Sequence, residues 1–90
     1  MSIVAVKIKI MPDSPEVDMI IMRKEVNILL EKQGVKNPNF EIEPVAFGLK
    51  CIITMFGWPE EKPLEDLEEK LRKIKRVSSV KVTDIRRAIG

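Results

Sequence analysis

Apolar and polar residues alternate from Ile3 to Ile10. Val4, Val6, Ile8 and Ile10 share one face, and Ala5, Lys7 and Lys9 the other. A period of two predicts a half-buried β-strand. Met11-Pro12-Asp13-Ser14-Pro15 breaks it, since neither proline can donate to a ladder. From Met19 to about Gln33 the spacing becomes helical, with Met19, Met22, Val26, Leu29 and Leu30 on one stripe. Asp18 is placed to cap the start of this helix, and Gly34 to stop it. Ile21 and Ile28 fall on a flank and are expected to widen the buried face; a partner surface is the lesser reading.

A loop with Pro38 follows, and Phe40-Glu41-Ile42-Glu43 alternates again as a short strand. Glu43-Pro44-Val45-Ala46-Phe47-Gly48-Leu49-Lys50 then sets a proline and a glycine around one aromatic ring, with strand-like sequence on both sides. This predicts the tip of a β-hairpin. Leu49 to Phe56 is apolar on both faces. Pattern alone leaves open whether Leu49, Cys51, Ile53 and Met55 or Lys50, Ile52, Thr54 and Phe56 meet the core. Gly57-Trp58-Pro59-Glu60-Glu61-Lys62 is expected to be a turn-rich connection, with Pro63 at the first position of a second helix. Leu64, Leu67, Leu71 and Ile74 form its stripe. Acidic residues crowd its start and basic ones its end, which suits the helix macrodipole and predicts a solvated face. Val77 to Ile85 is the last strand, with Val80 and Val82 inward, and Asp84 to Gly90 closes the chain as a tail.

The order strand, helix, strand, strand, helix, strand predicts an α+β fold of the ferredoxin-like split βαβ type (βαββαβ). Its four-stranded antiparallel sheet has the order 4-1-3-2, with both helices on one face. That topology sets the Phe47 tip at the end where the first strand finishes. The tail lies at the opposite end, beside Ser2 and the Trp58 loop.

Composition narrows the chemistry. Ninety residues with 44% hydrophobic and 33% charged content suit one globular domain, taken as residues 1–90. The start Met1-Ser2-Ile3-Val4 lacks signal-peptide features, and no apolar run approaches the roughly 20 residues that span a bilayer. A single cysteine, Cys51, rules out an internal disulfide and suits a reducing compartment, so a cytoplasmic location is expected. The net charge of +2 has both signs interspersed and does not predict nucleic-acid binding. Histidine is absent, which removes the commonest general base and the usual nucleophile pairs. The expectation is a binding protein, not an enzyme, with no cofactor and no metal site.

Known uses of this topology fit poorly. The loop after the first strand has no arginine or glycine to cradle a phosphate and no Cys-x-x-Cys to hold copper. RNA recognition needs aromatics on the central strands, and only Phe56 is offered. Phe47 and the Arg86-Arg87 pair remain. At a hairpin tip, Phe47 either folds back as a plug or projects as an anchor, since aromatics and arginines dominate binding hot spots. Adjacent arginines are usually a matter of solubility, but can also present bidentate donors to carboxylate or phosphate.

Pro44-Val45-Ala46-Phe47-Gly48-Leu49-Lys50 resembles the Pro-Val-Gly-aromatic-Gly-Ile-Lys stretch of the translation elongation factor 1-beta family. Met11 to Asp18 and Val82-Thr83-Asp84-Ile85-Arg86-Arg87 resemble its short archaeal form, so that the likeness runs through nearly the whole chain. The resemblance implies a guanine-nucleotide exchange factor that binds elongation factor 1-alpha, both GDP-bound and nucleotide-free. It implies no direct nucleic acid, no membrane and no small-molecule substrate of its own. It also implies that Lys50, Ile52, Thr54 and Phe56 face the helices. Ala46, Phe47 and Gly48 would meet the partner at one end, and Arg86, Arg87 and Ile89 at the other. In eukaryotic relatives a lysine at the extreme C-terminus is thought to disturb the partner's Mg²⁺ and phosphate site. This chain ends Ala88-Ile89-Gly90, so the role passes to Arg86 or Arg87. The alternative is a ferredoxin-like regulatory or RNA-associated module without exchange activity.

Overall fold

The computed structural model describes residues 2–87. Six main elements follow in chain order: β1 (Ile3–Pro12), α1 (Met19–Lys32), β2 (Asn39–Pro44), β3 (Lys50–Pro59), α2 (Leu64–Arg72) and β4 (Val77–Arg87). The sheet order is β2-β3-β1-β4 with every neighbouring pair antiparallel, the expected 4-1-3-2 counted from the other edge. Both helices pack on one face. There Met22, Val26 and Leu30 of α1 and Leu67 and Leu71 of α2 join Val4, Val6, Ile8 and Ile10 of β1 in one cluster. Ile52, Phe56 and Trp58 of β3 belong to it, with Val35 and Val80, which settles the face of β3 in favour of the Ile52 side. Fully burying one such side chain contributes about 1.5–3 kcal/mol.

The doubly apolar pattern of β3 has a simple origin. Cys51 and Ile53 are also buried, on the face away from the helices. They lie directly across from Glu43, Glu41 and Lys9, long side chains of the kind that can bury a methylene stem over apolar neighbours and keep the charge in water.

Local signals set the ends of α1. Asp18 Oδ1 accepts from the backbone amides of Ile20 at 2.9 Å and Ile21 at 3.3 Å. Gly34, with φ of 90°, takes the left-handed turn past the end. Ile21 and Ile28 do not widen the core: they are 56% and 53% exposed. The two helices cover only the stripe through Met22, Val26 and Leu30, and these isoleucines lie on the outer side of α1.

Several boundaries move. β1 runs on to Pro12, which tolerates its missing N–H as the last strand residue, opposite Val77. Pro63 is the N-cap of α2 rather than its first helical residue, with an extended ψ of 129°. The largest correction concerns Gly57-Trp58-Pro59, which continue β3 instead of forming a loop. Gly57 sits where two strands approach closely: a Cβ there would lie a tight 3.1 Å from a methyl of Ile3. Trp58 is a core residue, 3% exposed. Its ring packs edge-on to Phe56 at 6.0 Å between centroids, and Nε1 donates to the Lys62 carbonyl at 3.0 Å. Lys62 Nζ lies 4.7 Å from the Trp58 ring centroid and donates to the Gln33 carbonyl at 3.0 Å. The indole thus ties the end of β3 to the entry of α2 and, through Lys62, to the end of α1.

Of the expected tail, Asp84 to Arg87 also prove to be strand. β4 reaches Arg87, and the β1–β4 register slips between Lys7 and Ile8, where Lys7 faces Asp84 and Ile8 faces Val82. Thr83 is the extra residue of this bulge, its hydroxyl donating to the Lys7 carbonyl at 3.3 Å. One inserted residue reverses the facing of everything after it. Arg86 therefore pairs with Ala5 on the open face, and Arg87 with Val4 on the helix side.

Thr54 is fully buried, and its hydroxyl has no hydrogen-bond partner. A buried hydroxyl left unpaired costs about 1–3 kcal/mol. Thr54→Val keeps the shape and removes the polar atom, so it should stabilise the fold by roughly 1 kcal/mol. Denaturant unfolding checks this: the midpoint should rise with the m-value unchanged.

Candidate partner-binding surface

The two sequence-predicted clusters lie at opposite ends of the sheet. At one end, five residues join β2 to β3. The Val45 amide donates to the Leu49 carbonyl at 2.8 Å and the Leu49 amide to the Ala46 carbonyl at 3.3 Å, closing the turn around a 3₁₀ segment at Ala46–Gly48. Two successive residues are left-handed, Phe47 with φ of 63° and Gly48 with φ of 75°. Glycine serves the backbone at position 48, since a Cβ there would meet nothing within 4 Å. For phenylalanine the same conformation costs about 1–2 kcal/mol. Phe47 does not fold back as a plug: it is 94% exposed. A strained, solvated aromatic ring has no stabilising role in the free protein, and such outliers gather at ligand clamps and switch regions.

At the other end, Arg86 Nε lies 2.8 Å from an Asp84 carboxylate oxygen, and an Arg87 terminal nitrogen 3.2 Å from one of Glu60. The arginine side chains remain 80% and 81% exposed. Pairs this open contribute at most about 0.2–1 kcal/mol, so either guanidinium can be redirected at little cost. As consecutive residues of one strand the two point to opposite faces, so they cannot form one shared bidentate site; the bulge at Thr83 decides which face each takes. Ile89 lies outside the described residues. With β1 between them, the Phe47 tip and Arg87 stand roughly 30 Å apart at ~3.3 Å per strand residue.

Two apolar residues not singled out by pattern also belong to the Phe47 end. Ile20, in the first turn of α1, is 57% exposed, and Ile42, on edge strand β2, is 40% exposed. Ile20 falls outside the helical stripe, which is the one signal that could have marked it. Among the described residues no group of three or more His, Cys, Asp or Glu is placed to hold a metal ion. Nor is any helix long and apolar enough to cross a membrane.

The profile of the EF-1 guanine nucleotide exchange domain matches residues 5–88. The chain belongs to that family. Among its relatives, elongation factor 1-beta of Methanocaldococcus jannaschii is 40% identical over 86 residues, covering 94% of this chain and 97% of the relative. Elongation factor 1-beta of Methanothermobacter thermautotrophicus is 38% identical over 85 residues, covering 93% and 94%. A solved structure named BlrP1 BLUF aligns with all of this chain and 57% of its own at a TM-score of 0.58. With 12% identity, that likeness concerns the fold alone. The activity of this exchange domain is replacement of GDP by GTP on elongation factor 1-alpha during translation elongation.

The backbone at the tip yields a prediction about the exchange domain alone. Phe47→Gly removes a ring that buries almost nothing and relieves a left-handed phenylalanine. The melting temperature should stay level or rise by a few degrees, where an interior aromatic truncated to glycine would cost several kcal/mol. Differential scanning calorimetry checks the sign.

Proposed function

We propose that the protein grips elongation factor 1-alpha at two ends of its sheet, one to hold and one to disturb. Phe47, flanked by Ala46 and Gly48, anchors one domain of the partner. The β4 terminus with Arg86, Arg87 and Ile89 reaches the nucleotide domain and weakens its Mg²⁺ and phosphate site. The single observation that supports this reading most is the ring of Phe47, held out at 94% exposure on a strained backbone. In this reading residues 1–90 act as one exchange domain in the cytoplasm, without cofactor, nucleic acid, membrane or covalent chemistry. The partner is bound in both its GDP-loaded and nucleotide-free states.

Exchange needs no catalytic group. Whatever free energy the bound module takes from GDP affinity, GDP takes from the module's affinity. A coupling of about 4 kcal/mol weakens GDP roughly a thousandfold. One positive charge brought within about 4 Å of another costs about 4 kcal/mol at an effective dielectric of ~20, so one guanidinium near Mg²⁺ supplies an effect of the required order. Mg²⁺ is the vulnerable target, because it bridges phosphate oxygens and demands near-ideal octahedral geometry.

Release of labelled GDP from elongation factor 1-alpha tests the reading. Micromolar protein should accelerate release at least a hundredfold; no acceleration would remove the proposal. Phe47→Ala should raise the concentration needed for half-maximal release by tenfold or more, and unchanged exchange would show that the ring is no anchor. Arg86→Ala combined with Arg87→Ala should lower the maximal release rate more than it weakens binding. Equal losses in both would mean that this end only docks.

A further inference from the structure

A lone aromatic ring cannot constitute an interface. Phe47 can bury about 150–250 Å², while a specific interface takes about 800 Å² from each partner. Even with the β4 end sharing that area, a hold on the partner's other domain needs more surface around the tip than one ring, and the two sides of the hairpin differ. On the open face β2 carries the charged Glu41 and Glu43, and charge is depleted from interface centres. On the helix side a depression of about 370 Å³ lies between the start of α1 and the hairpin, lined among others by Pro15, Val17, Met19, Ile20, Ile42 and Lys50. Ile42 and Lys50 belong to the two strands that the Phe47 turn joins, so groove and ring lie on one hairpin at the same end of the sheet.

We propose that this groove is the second half of the holding surface and seats an apolar segment of elongation factor 1-alpha that carries an acidic residue. The proposal rests on the anchoring reading of Phe47. The charge requirement follows from what the groove leaves unpaired. The carboxylate of Asp18 already accepts from the amides of Ile20 and Ile21, and Ser14 Oγ takes a hydrogen bond from Arg76 at 2.9 Å. Lys50 is exposed, and among the described residues it forms no ion pair. An apolar segment lying on Ile20 and Ile42 with a carboxylate at its Lys50 end therefore pairs the one cation of the groove while covering its apolar floor. The surface separates grip from displacement, since it lies at the end of the sheet remote from Arg86 and Arg87.

Affinity for GDP-loaded elongation factor 1-alpha and GDP release at increasing exchange-domain concentration test this with four variants. Ile20→Glu places a carboxylate in the first turn of α1, where the helix dipole favours it, so folding is retained and circular dichroism melting verifies this. Ile20→Glu should raise the dissociation constant and the half-saturating concentration at least tenfold, with the maximal release rate within twofold of the unchanged protein. Lys50→Glu should weaken binding threefold to tenfold and flatten its salt dependence. Ile28→Glu, equally exposed on the far half of the same helix, should change nothing. If Phe47→Gly weakens binding while Ile20→Glu and Lys50→Glu do not, the groove is not part of the interface. If Phe47→Gly also binds with full affinity, the anchoring reading itself fails and the groove proposal with it.

Discussion

Everything in this molecule hangs on β1 being paired along both edges, with β3 on one side and β4 on the other. A strand in that position buries its inward row completely, and Ile8 and Ile10 are 0% exposed. Antiparallel pairing to both neighbours also dictates where their ends fall. β3 must start where β1 finishes, which sets the Phe47 hairpin there. β4 must finish where β1 starts, which sets Arg86 and Arg87 beside Ser2 and Pro59. The two functional ends are consequences of one pairing, and their separation of roughly 30 Å is a strand length rather than a loop conformation.

A rigid spacer of this kind suits exchange, where the work is differential binding and not chemistry. The hairpin tip carries a left-handed phenylalanine that does nothing for the free fold, and the core behind it tolerates that strain. The other end is cheap to rearrange: both arginines are held only by exposed ion pairs, which water competes for effectively. A firm hold at one end and an adjustable charge at the other follow from the same sheet. The open face between them carries Lys7, Lys9, Glu41 and Glu43 beside the exposed Ile3 and Met55.

The elements most legible in the sequence were those whose signals are local. Strict alternation in Val4 to Ile10 and the helical stripe through Met22, Val26 and Leu30 admit one buried face each. Asp18 and Gly34 act on backbone groups within a few residues of themselves. Gly57-Trp58-Pro59 went astray because glycine and proline mark both turns and close strand approaches. Which of the two applies depends on Ile3, 54 positions earlier in the chain and 3.1 Å from the Cβ that Gly57 lacks. Arg86 and Arg87 were assigned to a tail because edge-strand residues beyond the core carry no hydrophobic period at all. Ile21 and Ile28 were placed inside because periodicity cannot tell how wide a stripe two small helices cover.

The hairpin stretch had a comparable division. Pro44, Phe47 and Gly48 sufficed to announce a tip with an aromatic ring, since proline removes a donor and glycine permits φ above zero. Projection of the ring was another matter. It depends on the closed five-residue turn and on the left-handed geometry at Phe47, which leave the ring 94% exposed. Order of elements, topology and candidate residues came from short-range pattern and chain connectivity, which one dimension records. Facing was decided by the fold: adjacent strand residues always alternate, but the bulge at Thr83 gives Arg86 the open face and Arg87 the helix side, and only register between distant strands reveals which takes which.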